Sequence, residues 1–150
     1  MILTAHQPAY MPWLGLFHKI AISDAYVYLD NVQFEKNSYI NRNKIKSANG
    51  PIWLTVPTLL KGHMSKTIKE IKINNDVNWR EKHLKSIELN YKSAPYFSRY
   101  IEFFRDCYNH KWNNLSDLNE YMLKWFLDTL RIEIKYYKMS EINFEGRKSE

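Results

Sequence analysis

His6-Gln7-Pro8-Ala9-Tyr10-Met11-Pro12-Trp13-Leu14-Gly15-Leu16-Phe17-His18-Lys19-Ile20 is the stretch on which the fold turns. Just before it, Ile2-Leu3-Thr4-Ala5 is a short apolar run that predicts a buried strand ending at His6. Pro8 and Pro12 bracket a stiff turn, because each ring fixes its own φ. From Trp13 the apolar residues recur at Trp13, Leu14, Phe17, Ile20 and Ala21, which is helical spacing. Pro12 stands where proline suits the start of a helix. The stretch therefore predicts a strand, a rigid polar and aromatic loop, and a helix. In α/β proteins ligands bind at the carboxyl ends of strands, so His6, Gln7 and Tyr10 are placed for chemistry.

Outward from this unit, Ser23-Asp24 breaks the helix and Ala25-Tyr26-Val27-Tyr28-Leu29-Asp30 predicts a second strand. A βαβ crossover would make the two strands parallel neighbours and bring His6 and Asp30 to one edge. Val32 to Ser38 predicts a loop rich in polar handles, including Gln33 and Lys36. Tyr39 to Lys46 and Ile52 to Val56 predict a β-hairpin, with Asn49-Gly50 as its turn and Pro57 closing it. Thr58 to Lys66 predicts a loop, and Thr67 to Ile73 a further strand. Three amphipathic helices follow, capped at Asn75 or Asp76, broken at Ser93-Ala94-Pro95, and capped again at Ser116. Ile132 to Tyr137 alternates as a strand does. The fold class is α/β, with a mixed sheet, an N-terminal βαβ unit, a hairpin and a three-helix segment.

Composition narrows the function classes. At 150 residues the chain predicts one domain with a substantial core. Apolar residues make up 45% and aromatic residues 15%, which argues against disorder. The net charge of +6 permits nucleic-acid, nucleotide, phosphosugar or membrane-surface partners. The lysines are scattered among carboxylates, which weakens the nucleic-acid reading. Cys107 is the sole cysteine, so no internal disulfide can form and a reducing compartment fits. There is no signal-peptide pattern and no apolar run long enough to span a membrane, so a soluble, cytoplasmic protein is expected. The histidines lack metal-ligand spacing, so no metal site is expected. With four glycines, no glycine-rich phosphate loop is present.

The chemistry-bearing residues form two groups. His6-Gln7 places an imidazole and an amide at a strand end, suited to general acid–base work or simply to pinning the turn. Tyr39, Asn41, Arg42, Asn43 and Lys46, with Lys36 nearby, gather donors for an anion, since arginine presents a planar fork and lysine a point charge. Strand alternation separates Arg42, Lys44 and Lys46 from Asn41 and Asn43. The plainer reading of these lysines is a solvated edge strand. Trp13, Phe17, Trp125 and Phe126 read as core, Tyr10 and Trp53 as either core or ligand wall, and Cys107 as a small buried hydrophobe.

These residues carry a resemblance. The pattern His6-Gln7-Pro8-x-Tyr10-x-Pro12-Trp13-x-Gly15-x-Phe17-x-Lys19-Ile20 resembles the opening signature of the WbqC-like family. Asp24, Val27-x-Leu29-Asp30-x-Val32-Gln33-Phe34, Asn41-Arg42-Asn43-x-Ile45-Lys46 and Trp53-Leu54-Thr55-Val56-Pro57 resemble its later blocks in order. The family is bacterial, often in gene clusters for O-antigen and other surface polysaccharides. Family members are usually longer, and Gly146-Arg147-Lys148-Ser149-Glu150 resembles the start of a further block. The chain is therefore expected to lack the family's C-terminal part.

The resemblance implies a transferase of surface-polysaccharide or related sugar metabolism, such as one acylating an amino group of a nucleotide-linked sugar. In that picture His6 is the base and Gln7 orients the substrate. Arg42, Lys46 and Lys36 hold diphosphate or carboxylate, and Tyr10 and Trp53 pack against sugar or base. Trp13, Asp30, Gln33, Asn41 and Asn43 complete the substrate-contacting set. No cofactor and no oligomeric state is indicated. One alternative is nucleotidyl or adenylyl transfer, although the paired-histidine H-x-G-H motif is missing. Another is a non-catalytic glycan- or RNA-binding module that holds its ligand by aromatic stacking and cations.

Overall fold

The computed structural model describes residues 1–59 and 66–142. Strand β1 (Leu3–His6), helix α1 (Leu14–Ala21) and strand β2 (Ala25–Tyr28) form the expected βαβ unit. β1 pairs parallel to β2 with His6 opposite Tyr28, so Asp30 leaves the sheet beside the end of β1. All four β2 residues are buried, as befits a central parallel strand covered on both faces. β5 (Lys135–Lys138) pairs parallel with the other edge of β2.

Parallel and antiparallel pairing occupy two separate sheets. The second is the hairpin of β3 (Arg42–Ser47) and β4 (Gly50–Thr55). Its reversal lies at Ala48-Asn49, one residue earlier than the Asn49-Gly50 signal, and Gly50 begins β4 at φ +106°, a region open to glycine. The register that follows sets Lys44 opposite Trp53 and Ile45 opposite Ile52.

The expected strand over Thr67 to Ile73 is instead a 3₁₀ turn, Ile68–Glu70, flanked by single β-bridges. Both the Thr67 N–H and its hydroxyl donate to Glu70 Oε2 at 2.8 Å, and this closes a local turn. Those two bonds hold the Glu70 carboxyl below its usual range. Ile68, Ile71 and Ile73 are nonetheless buried, so the apolar alternation reflects packing rather than a ladder. Of the expected loop Thr58 to Lys66, residues 60–65 lie outside the described residues, as does the tail from Phe144 to Glu150.

Helices α2 (Trp79–Tyr91), α3 (Phe97–Asn109) and α4 (Leu115–Thr129) follow. Their N-caps are Asn78, Tyr96 and Asn114, so α2 starts later than Asn75 or Asp76 would set it, and α4 starts before Ser116. α4 joins two cores. Leu118 and Met122 pack with the hairpin, Ile68, Ile71 and Trp79. Leu123 and Leu127 pack with Leu16, Phe17, Ile20, Tyr26 and Tyr28 under α1 and the parallel sheet. Cys107 is buried in the first core, and burial pushes its thiol up to about 12, away from nucleophilic use. No helix among the described residues is long and apolar enough to cross a membrane.

Candidate functional site

The loop from Gln7 to Trp13 lies against residues 38–43 and is pinned there by backbone geometry. Tyr10 N–H donates to the Tyr39 carbonyl at 3.0 Å, and Asn43 Nδ2 donates to the Met11 carbonyl at 2.6 Å. Met11 sits at φ +48°, a left-handed conformation that costs a non-glycine residue about 1–2 kcal/mol. The Asn43 bond helps to hold it.

Between these segments, at the carboxyl end of β1, is a crevice of about 200 Å³ lined by His6, Gln7, Pro8, Trp13, Ser38 and Tyr39, among others. The His6 ring lies edge-on to the Trp13 indole, with centroids 5.2 Å apart. His6 Nδ1 is 2.7 Å from the Gln7 carbonyl oxygen. A carbonyl only accepts, so Nδ1 carries the hydrogen and neutral His6 keeps its lone pair on Nε2. Among the described residues Nε2 has no hydrogen-bond partner, so it is available as a base or acceptor.

Trp13 was expected in the core, but it is 46% exposed and forms a wall of the crevice. The cause is Gly15, where a Cβ would lie 2.9 Å from the Trp13 indole nitrogen. The missing side chain lets the indole fold back over the first turn of α1. Phe17 keeps its expected core place, while Trp125 and Phe126 are partly buried.

From the crevice a run of exposed rings crosses to the hairpin. Trp13 meets Tyr39 at 6.2 Å between centroids, and Tyr39 meets Trp53 at 5.9 Å. The Arg42 guanidinium lies 4.4 Å from the Trp53 centroid and the Lys44 ammonium 4.8 Å. Both belong to the outward face of β3, where Lys44 is opposite Trp53 and Arg42 is diagonal to it. Arg42 also donates to the Asn37 carbonyl at 2.5 Å, which orients its fork.

Neither cation has a carboxylate partner among the described residues, and the same holds for Lys36 and Lys46. Many other lysines and arginines among the described residues share that lack of a carboxylate partner, but one depression carries charges that neutralise one another. An open depression of about 690 Å³ between α4 and β5 contains Glu120, which Lys124 and Lys138 bind at 2.8 and 2.7 Å. Burial works to raise the Glu120 carboxyl, but the two lysines outweigh it and hold it below the usual range. An incoming anion thus finds unpaired positive charge at the hairpin and an internally balanced patch at the larger depression.

The structure brings His6, Gln7 and Trp13 together, and joins Trp53 and Arg42 to them through Tyr39. It places the other candidates elsewhere. Tyr10 is fully buried behind the loop, and its hydroxyl meets His83 Nδ1 at 2.8 Å and the Tyr108 hydroxyl. His83 also bonds the Thr55 backbone carbonyl, so Nδ1 accepts from Tyr10, and Tyr108 in turn donates to Tyr10. Burial pushes His83 down to about 4 and both tyrosines upward. Asp30 is fully buried, and its two oxygens accept from Ser140 N–H at 2.9 Å and Ser140 Oγ at 2.6 Å. Asn41 is buried and donates to the Val56 carbonyl at 3.0 Å. Gln33 is exposed and bridges Thr67 through its backbone, while Lys36 and Lys46 are exposed, Lys46 toward the hairpin tip. Tyr39, expected in the donor cluster, supplies a ring to this run instead, and Lys44, expected as an edge-strand charge, is the residue beside Trp53 outside the expected contact set. Counting back from the observed Ala48-Asn49 turn pairs Lys44 with Trp53, whereas the Asn49-Gly50 signal pairs Lys46 with it, so the one-residue shift of the turn is what hid Lys44.

No solved structure matches the chain. A protein of Mycobacterium tuberculosis carrying the name "Uncharacterized protein Rv1507c" is 33% identical over 130 residues, 86% of this chain and 56% of that protein. The chain thus spans about half the length of the curated relative it matches. The description "WbqC-like protein family" matches residues 7–150, a range that includes Gln7, the crevice loop, the hairpin and all three later helices. With every residue of the ordered motifs except His6 inside that match, the chain belongs to the WbqC-like protein family.

Proposed function

We propose that the crevice at the end of β1 is a small-molecule site and that the protein is a transferase acting on an activated sugar. The observation that supports this reading is His6. Its Nδ1–H is committed to the Gln7 carbonyl, which leaves Nε2 without a partner among the described residues, and His6 lines a crevice walled by Trp13 and Tyr39. Such an imidazole can take a proton from an acceptor amine or hydroxyl as that group attacks, a role worth about 10²–10⁴-fold in rate. The aromatic walls suit the apolar face of a sugar ring, and the unpaired hairpin cations suit a phosphate or carboxylate.

Acyl transfer is the form of the reaction with a further observation behind it. A second cavity of about 350 Å³ is lined by Met11, Ile45, Ile87, Tyr91, Phe97 and Ile101, among others, with no charged side chain. Met11 belongs to the same loop as His6's neighbours, so an apolar acyl group could lie on the far side of that loop.

A thermal-shift screen against nucleotide sugars, acyl-coenzyme A species and nucleoside triphosphates tests the reading. Stabilisation by a nucleotide sugar, lost in Arg42→Ala, is the expected result. With the matching acyl donor, release of free coenzyme A thiol should fall about a hundredfold or more in His6→Ala. Full turnover in His6→Ala would remove the base assignment, and pyrophosphate release from a triphosphate would favour nucleotidyl transfer instead.

A further inference from the structure

The His6 crevice is too small for a whole activated sugar. At about 200 Å³ it falls below the roughly 300–1,000 Å³ of pockets that engulf a complete small-molecule ligand. Any ligand reacting at His6 must therefore extend onto the adjoining surface, and that surface is not featureless. The exposed rings of Tyr39 (52%) and Trp53 (42%) continue the crevice wall, and Arg42 and Lys44 stand at the far end of the run.

We propose that the outward face of the hairpin, built from Arg42, Lys44 and Trp53, is the subsite for a nucleoside diphosphate moiety. This inference rests on the crevice being the reacting site and adds the direction in which the substrate lies. The sugar occupies the crevice at His6 and Trp13, the diphosphate crosses Arg42 and Lys44, and the base lies against the Trp53 indole.

Three observations point to a diphosphate joined to a base rather than to a lone anion. Two cations are held at one indole, 4.4 and 4.8 Å from its centroid, so both charges lie within reach of one diphosphate. Neither is neutralised by a carboxylate among the described residues. Trp53 is 42% exposed, so a base can contact the part of the indole that the two cations do not cover, and such contact accepts any base because every base has a π-face. Arg42 is also pre-oriented by its bond to the Asn37 carbonyl, so less side-chain freedom is lost on binding.

The test is isothermal titration of the chain with UDP, dTDP, GDP, ADP, inorganic pyrophosphate and a short single-stranded RNA. At least one nucleoside diphosphate should bind about tenfold or more tightly than pyrophosphate, the margin stacking provides. Trp53→Ala should erase that margin, weakening nucleoside diphosphate binding more than pyrophosphate binding. The Arg42→Gln/Lys44→Gln pair should weaken both by about tenfold, the cost of a lost charge-assisted contact. All three positions are at least partly exposed, and circular dichroism confirms that each variant is folded. His6→Ala should leave nucleoside diphosphate affinity within about twofold, and its loss of turnover then reports on the reaction alone.

Absence of nucleoside diphosphate binding, or full binding by the double variant, overturns the subsite. So does equal affinity for pyrophosphate with no effect of Trp53→Ala, or a preference for RNA at equal nucleotide concentration. Sugar binding lost in His6→Ala but without any nucleoside diphosphate binding overturns the subsite and leaves the crevice reading standing. Nucleoside diphosphate binding with turnover indifferent to His6→Ala supports the subsite and overturns the base assignment.

Discussion

Gly15 and Tyr10 show how one side chain decides which face of the loop meets the crevice. Gly15 lies in the first turn of α1, and the Trp13 indole occupies the space where its Cβ would be. Gly15→Ala should gain at most about 1 kcal/mol of helix stability while pushing the exposed indole off the crevice wall. The expected outcome is a melting temperature unchanged or raised by about 2–4 °C, together with weaker ligand binding in the same thermal-shift assay. A loss of stability would mean that Trp13 packs as core after all. Tyr10 is the converse case. Its hydroxyl lies between Tyr108 and His83 in full burial, so Tyr10→Phe should cost about 1–3 kcal/mol by urea denaturation. Ligand affinity should not change, and a selective loss of affinity would return Tyr10 to the site.

At the level of elements, the parallel sheet is tied at its carboxyl edge by a carboxylate. Asp30 follows β2, and Ser140 lies in the 3₁₀ turn after β5, so their two hydrogen bonds join the exits of neighbouring strands. The expectation of Asp30 as a ligand group came from its position at a strand end. The tie occupies both its oxygens, which favours a positioning role. Asp30→Asn puts an N–H₂ where one Ser140 donor now bonds, at a cost of about 1–3 kcal/mol. Faster amide exchange at Ser140, with little change in β3 and β4, is the expected signature; uniform exchange across the chain would deny a local role. The stretch Thr67 to Ile73 failed as a strand for the opposite reason. Its alternating isoleucines had a core to fill, but among the described residues it makes only single bridges, and Glu70 satisfied the Thr67 amide locally.

Across the whole molecule, the buried chain from Tyr108 through Tyr10 and His83 to the Thr55 carbonyl joins α3, the crevice loop, α2 and β4. Burial lowers His83 from 6.5 to about 4, while the unfolded chain regains the ordinary value. Between those values the unfolded state binds the extra proton, so stability is fully present above pH 6.5 and declines as pH falls toward 4. The total loss from this group is roughly 3 kcal/mol. Urea denaturation from pH 7.5 to 4.5 should show the decline, and His83→Gln should flatten it. An equal slope in the variant would assign the dependence to other groups.

Local rules determined a large part of this protein. Apolar spacing from Ile2 to Tyr28 was enough for the βαβ opening, because strands and helices bury their faces through fixed periods of about 2 and 3.6 residues. The ordered motifs were enough for the family, and the strand end at His6 for the crevice. Tertiary packing decided the rest. Which of Tyr10 and Trp13 faces out depended on a hydroxyl partner 73 residues away in His83 and on empty space above Gly15. That Arg42 and Lys44 stand at Trp53 depended on the hairpin register, and among the described residues no carboxylate folds back to meet them. Periodicity says which face of an element is buried; only the assembled neighbours determine which polar group on that face already has a partner.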